Sequence, residues 1–244
     1  MLLSFILLFS AAADAGTVRH DLKIKTEPAK GVIEAEDSIT LPEYRADTVF
    51  YLNNGLSVSV LTDGAELKEE PGPPPASTKY SLALPRGRKA FRIKYSGTIP
   101  PPPAADPLGR DGVPITPEGC GLSGSDLWYP RLEGARASFR LETDLPEGYE
   151  CVSGGERSSR SVKNGRSRSI WNAAEPTGEM PLFCGRYKEY PAVRGGTELK
   201  VFLLKSDEAL AEKYIEAAGR YLDMYSALIG PYPYGQFALV ENLR

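Results

Sequence analysis

A chain of 244 residues with 41% hydrophobic and 25% charged side chains has ordinary globular composition, with room for one large domain or one and a half average ones. Its formal net charge of −3 excludes the basic footprint that nucleic acid or an anionic membrane demands. The densest basic stretch, Arg157 to Arg168, is Ser- and Gly-rich without interleaved aromatics, and reads as a solvated hairpin loop.

The chain opens MLLSFILLFSAAADAG, an apolar run from Leu2 to Phe9 followed by small residues ending Ala13-Asp14-Ala15. An apolar core before an A-x-A pattern predicts a signal peptide over residues 1–15, cleaved after Ala15 to leave Gly16 first. The run is too short to span a bilayer, so the expectation is export to a periplasmic or extracellular space, with no stable transmembrane segment. The three cysteines, Cys120, Cys151 and Cys184, are too widely spaced for a metal or redox pair. One disulfide with a leftover thiol and three buried small hydrophobes both fit them.

From Arg19 to Leu204 the hydrophobic period is mostly two. Leu22 and Ile24 alternate with charges; Ile33, Ala35, Asp37, Ile39 and Leu41 share one parity. Leu56, Val58 and Val60 do the same, as do Tyr80, Leu82 and Leu84, Phe91, Ile93 and Tyr95, Phe139, Leu141 and Thr143, and Leu199, Val201 and Leu203. Such runs between Gly, Pro, Asn and Asp clusters predict half-buried antiparallel strands in a sandwich or large sheet. The prolines at 71–75 and 100–103 cannot donate to a ladder and predict loops or edges. The Gly pairs at 154–155 and 195–196 predict hairpin turns. No internal repeat is present.

At Ser206 the period changes. Leu210, Tyr214, Ala217, Tyr221, Tyr225 and Leu228 recur at steps of three and four, one face of a helix of about six turns. Ser206 is the expected N-cap, acids at 207 and 208 suit the helix dipole, and Gly230-Pro231 supplies the stop. A boundary near residue 205 follows, with too little chain beyond it for an independent core. The rings of Tyr232 and Tyr234 are expected to pack under this helix. An apolar strand opens at Phe237, with nothing after it to pair with.

Side-chain chemistry is sparse. The one histidine, His20, lies on a polar stretch and reads as a surface residue. A single imidazole excludes a His-Glu-x-x-His zinc site and the usual base for a serine or cysteine nucleophile. Glu34, Glu36, Asp37, Glu69 and Glu70 read as solvated faces, since linear spacing cannot set two carboxylates across a cleft. No complete catalytic constellation is present.

Two stretches carry a resemblance. WYPRLEGARASFRLETDLPEGYECVSGG from Trp128, then Trp171 and GRYKEY at 185–190, is one; the helix leading into GPYPYGQFALVEN is the other. Their order resembles the N-terminal β-domain and the start of the catalytic domain of the zinc aminopeptidases typified by membrane alanyl aminopeptidase. The resemblance covers residues 20–244. It implies a saddle-shaped β-domain on a thermolysin-like α/β domain, whose zinc polarises the scissile carbonyl and activates water. All zinc ligands and the motif Glu would lie beyond Arg244. Val240-Glu241-Asn242 echoes the family's Gly-x-Met-Glu-Asn motif without its glycine and methionine, so Glu241 is assigned to a strand end. The resemblance also implies an N-domain Gln or Glu that holds the substrate's amino terminus; no motif of this sequence fixes its position, and Glu118 is named as the candidate substrate-binding residue.

The resulting expectation is a mainly β chain: an antiparallel sandwich over 16–205, then a long helix and the first strand of an incomplete α/β domain over 206–244. It would be an N-terminal fragment of an exported metallopeptidase that cleaves peptides at their N-termini. It would lack catalytic and metal residues, need the missing C-terminal domain and its zinc, and be inactive alone. The alternatives are a complete exported β-sandwich binding module and a small hydrolase using only carboxylates.

Overall fold

The computed structural model describes residues 16–74, 76–101 and 112–243; the expected signal peptide lies outside them. In chain order the strands are β1 (Val18–Glu27), β2 (Val32–Thr40), β3 (Asp47–Asn53), β4 (Leu56–Val60), β5 (Glu66–Pro71) and β6 (Ser77–Ala83). They continue with β7 (Ala90–Gly97), β8 (Val113–Thr116), β9 (Gly119–Leu122), β10 (Arg131–Leu132), β11 (Ala137–Pro146) and β12 (Glu150–Ser153). Next come β13 (Glu156–Lys163), β14 (Arg166–Thr177), β15 (Leu182–Gly185), β16 (Lys188–Arg194) and β17 (Thr197–Leu203). Helix α1 (Glu208–Ile229) and β18 (Gln236–Val240) close the described chain.

These strands build four sheets. A seven-stranded sheet runs β13-β14-β11-β1-β2-β7-β4 and four-stranded ones run β10-β3-β6-β5 and β12-β15-β9-β8; β16-β17-β18 form the last. Pairing is antiparallel except for β1 with β11 and β17 with β18. The mainly β sandwich expected from period two is what forms. Phe50 of β3 stacks on Tyr80 of β6 and Phe91 of β7 at 5.2 and 6.2 Å, so the first two sheets face each other across one core. Trp128 and Trp171 are fully buried and donate their indole N–H groups to Met180 O and Ser169 Oγ, as buried indoles must.

Proline obeys the ladder rule: β5, which ends at Pro71, is an edge strand. The basic stretch is an ordered hairpin and not a loop, because β13 and β14 pair around Asn164-Gly165, both at positive φ. At Gly155 (φ 84°) a Cβ would fall 2.1 Å from the Asn172 carbonyl oxygen, so only glycine fits.

The last sheet is two-faced. Phe202, Ala238 and Val240 turn toward the main core, whereas Val201, Leu203 and Leu239 turn toward α1, the alternation that a pleated strand imposes. The strand expected at Phe237 therefore pairs backward, in parallel, with β17. Helix α1 starts one residue later than expected, with Asp207 Oδ1 accepting from Leu210 N at 2.9 Å. Ser206 instead bonds Lys188 and Tyr190. The helix buries Ala211, Ala218 and Gly219, while Tyr221, Tyr225 and Leu228 of the expected face are exposed. Small residues let the helix axis approach the sheet; the bulky stripe is turned aside.

Candidate functional site

His20 is the main departure at the residue level. It lies on the inward parity of β1 with Val18, Leu22 and Ile24, and is 1% exposed rather than on the surface. Its Nδ1 lies 2.7 Å from Oδ2 of Asp37, which is also fully buried instead of solvated. The ring stacks on Phe139 at 4.9 Å and meets Tyr129 edge-on. Among the described residues Asp37 Oδ1 and the Tyr95 hydroxyl are buried without hydrogen-bond partners. Burial, and then the Asp37 and Tyr129 charges, push the Tyr95 phenol well above its usual value.

Glu118 lies exposed on the tight turn between β8 and β9. The preceding Pro117 carbonyl accepts from the Tyr149 hydroxyl at 2.6 Å. A Cβ on the following Gly119 would lie 2.9 Å from Leu243 Cδ1, so this turn abuts the end of the described chain. Glu241 sits there too, just past β18. Its carboxylate accepts from Leu204 N at 2.6 Å, and its carbonyl accepts from the Tyr187 hydroxyl. That makes Glu241 a strand-end cap, as assigned from sequence. Burial, then Cys120 and Glu241, raise the Tyr187 phenol, which keeps its proton on the donor side of that bond.

Two surface grooves flank this corner. One, of about 290 Å³, is lined by Val201, Leu203, Leu210, Tyr214, Leu239 and Val240 and ends in Glu241 and Asn242. The other, of about 470 Å³, is lined by Glu150, Arg160, Tyr187, Lys188, Glu189 and Pro191. In it the buried Glu150 is held by Arg160 at 2.5 Å and Arg157 at 3.3 Å, and Arg157 forks onto Glu189 at 2.7 Å. Every charge there has a partner, as burial requires. Sequence spacing could not reveal this network, because its members come from β12, β13 and β16.

Among the described residues no group of three or more His, Cys, Asp or Glu side chains is placed to hold a metal ion. His20 is enclosed in the core on Asp37.

The geometry of this chain recurs in solved structures. An M1 zinc metallopeptidase from Deinococcus radiodurans superposes with a TM-score of 0.66 over 92% of this chain, at 15% identity. A mutant of that enzyme bound to a Tyr-Ser-Ala substrate matches with a TM-score of 0.67 over 93%, at 16% identity. A two-domain M1 zinc metallopeptidase mutant bound to L-tryptophan matches at 0.61 over 92%, at 17% identity. This chain shares its fold with M1 zinc metallopeptidases. It spans 56% of the length of each of these structures. No protein-family model and no curated sequence matches it. The M1 likeness is therefore one of fold, and it runs through both the sandwich and the α1–β18 unit.

Proposed function

We propose that this chain is the N-terminal part of an exported zinc aminopeptidase-like enzyme, in which it forms one wall of the peptide cleft. One observation carries the reading: an M1 fold over 92% of the chain but over only 56% of the M1 structure it matches. In this reading residues 16–205 are the β-domain and 206–244 begin the catalytic domain. The rest of that domain would hold the zinc and carry the general base that activates the attacking water. The exposed apolar stripe on α1 supports it, since Tyr221, Leu228 and Ile229 are 60, 70 and 83% exposed, more than an isolated helix face should leave in water. The part played by this chain is positional: the Glu118 turn offers a carboxylate to the peptide's amino terminus beside the groove that ends at Asn242.

The purified chain is expected to leave aminoacyl reporter substrates intact with or without added zinc. Hydrolysis that a chelator abolishes would overturn the reading. The reading frame past Arg244 is expected to encode His-Glu-x-x-His. In the full-length enzyme Glu118→Gln is expected to raise KM about tenfold and leave kcat unchanged; an unchanged KM removes Glu118 from the site. Exported material is expected to begin at Gly16, and retention of Met1 would refute export through a cleaved leader.

A further inference from the structure

The three cysteines form a row. Strand β15 lies between β12 and β9, and Cys184 is in register with Cys151 on one side and with Cys120 on the other. Residues directly opposite on paired strands point to the same face of the sheet, with Cα atoms about 4.5 or 5.5 Å apart, separations that a disulfide spans or nearly spans. Cys184 is bonded to Cys151, and Cys120 is a buried free thiol. All three cysteines are 1% exposed, so the free thiol is buried in the same row as the bridge.

We propose that the bridge is exchangeable along this row, making Cys184 the pivot between two alternative disulfides. The Cys120 thiolate attacks Cys184 Sγ. The Cys120–Cys184 bond forms as the Cys184–Cys151 bond breaks, and the electron pair leaves on Cys151. Cys151 then takes up a proton in place of the one that Cys120 lost. The exchange needs no oxidant or reductant, because one disulfide and one thiol are present before and after. It moves the staple of β15 from β12 to β9. Burial pushes the Cys120 thiol up to about 12 against the opposing Cys184 hydrogen bond, so near neutral pH the thiolate is scarce and the Cys151–Cys184 form is held kinetically.

Peptide mapping tests this, since trypsin separates the three cysteines. Wild-type protein is held without oxidant or added thiol from about pH 8 to about pH 11, quenched in acid, alkylated and digested. A Cys120–Cys184 pair with newly alkylated Cys151 is expected. Its rate of appearance should rise about tenfold per pH unit and be unchanged by dilution. A native protein that keeps only Cys151–Cys184 at every pH overturns the proposal. So does a bond between Cys120 and Cys151, which stand two strands apart. Cys151→Ser, refolded in a glutathione buffer, is expected to form Cys120–Cys184; a folded variant with both thiols free overturns the exchange as well.

Discussion

A polar side chain on the inward parity of a strand has to be matched from another strand, and His20 shows how this is done. It faces Asp37 of β2 at 2.7 Å and stacks on Phe139 of β11. Removing one partner strands the other in the core, so Asp37→Ala is expected to lower unfolding stability by about 3 kcal/mol in urea titration. Tyr95 is the counter-case. Its buried hydroxyl has no partner among the described residues, so Tyr95→Phe is expected to be neutral or to stabilise by about 1 kcal/mol in the same assay. At the surface, Glu27 illustrates acid sensitivity. Partial burial raises its pKa, but the Arg166 hydrogen bond and charge, with Lys25, outweigh that and leave it below 4.5. A depressed carboxyl contributes stability that is present above its unfolded value and lost as pH falls through the folded one. The urea midpoint should therefore decline on acidification below about pH 4.5, and less steeply in Glu27→Gln.

Helix α1 is the element whose sequence and packing part company. Its strongest apolar periodicity is the Tyr214–Tyr221–Tyr225–Leu228 stripe, but the residues it buries are Ala211, Ala218 and Gly219, with Ala211, Leu210 and Ile215 packed on Val201 and Leu203 of β17. Contact area follows from how closely backbones approach, and small side chains win that contest over a sheet of Val201 and Leu203. Asp207→Ala removes the N-cap bond and should cost about 1 kcal/mol. Gly219→Ala should add up to about 1 kcal/mol, because a Cβ there meets Arg194 no closer than 3.5 Å. Thermal unfolding read by helical circular dichroism checks both; a destabilised Gly219→Ala would mean that α1 sits closer to the sheet. The tyrosine pair after the helix also departs from expectation. Tyr232 packs on Tyr234 and Phe237, with Tyr234 55% exposed. The short turn keeps these rings beside β18 instead of returning them under α1.

On the scale of the molecule, the two hydrophobic clusters divide the labour. The larger fills the sandwich, and the smaller, of Val201, Leu203 and Ala211, glues α1 to the last sheet. Tyr221, Tyr225, Leu228 and Ile229 of α1 remain exposed outside that smaller cluster. Replacing Tyr221, Leu228 and Ile229 together by Ser is expected to reduce concentration-dependent association in sedimentation while moving the unfolding midpoint little. A large loss of stability would show that the stripe is packed within the chain.

Much of this architecture was legible from residue order. The parity of Ile33 to Leu41 and of Tyr80 to Leu84, the edge role of Pro71, the span of α1 and its stop at Gly230 all follow from backbone geometry along the chain. The motif order from Trp128 to Asn242 carries a resemblance to zinc aminopeptidases, and the fold shared with M1 structures agrees with it. Which strand lies beside which does not follow from residue order, and that adjacency decided the rest: the burial of His20 on Asp37, the Glu150–Arg157–Glu189 network, the placing of the β8–β9 turn at Gly119 against Leu243 and the alignment of three cysteines across β12, β15 and β9. Periodicity is a local property, fixed by 2.0 or 3.6 residues per repeat. Partnership across a sheet is set by connections dozens of residues long, where many registers compete and only the assembled core selects one.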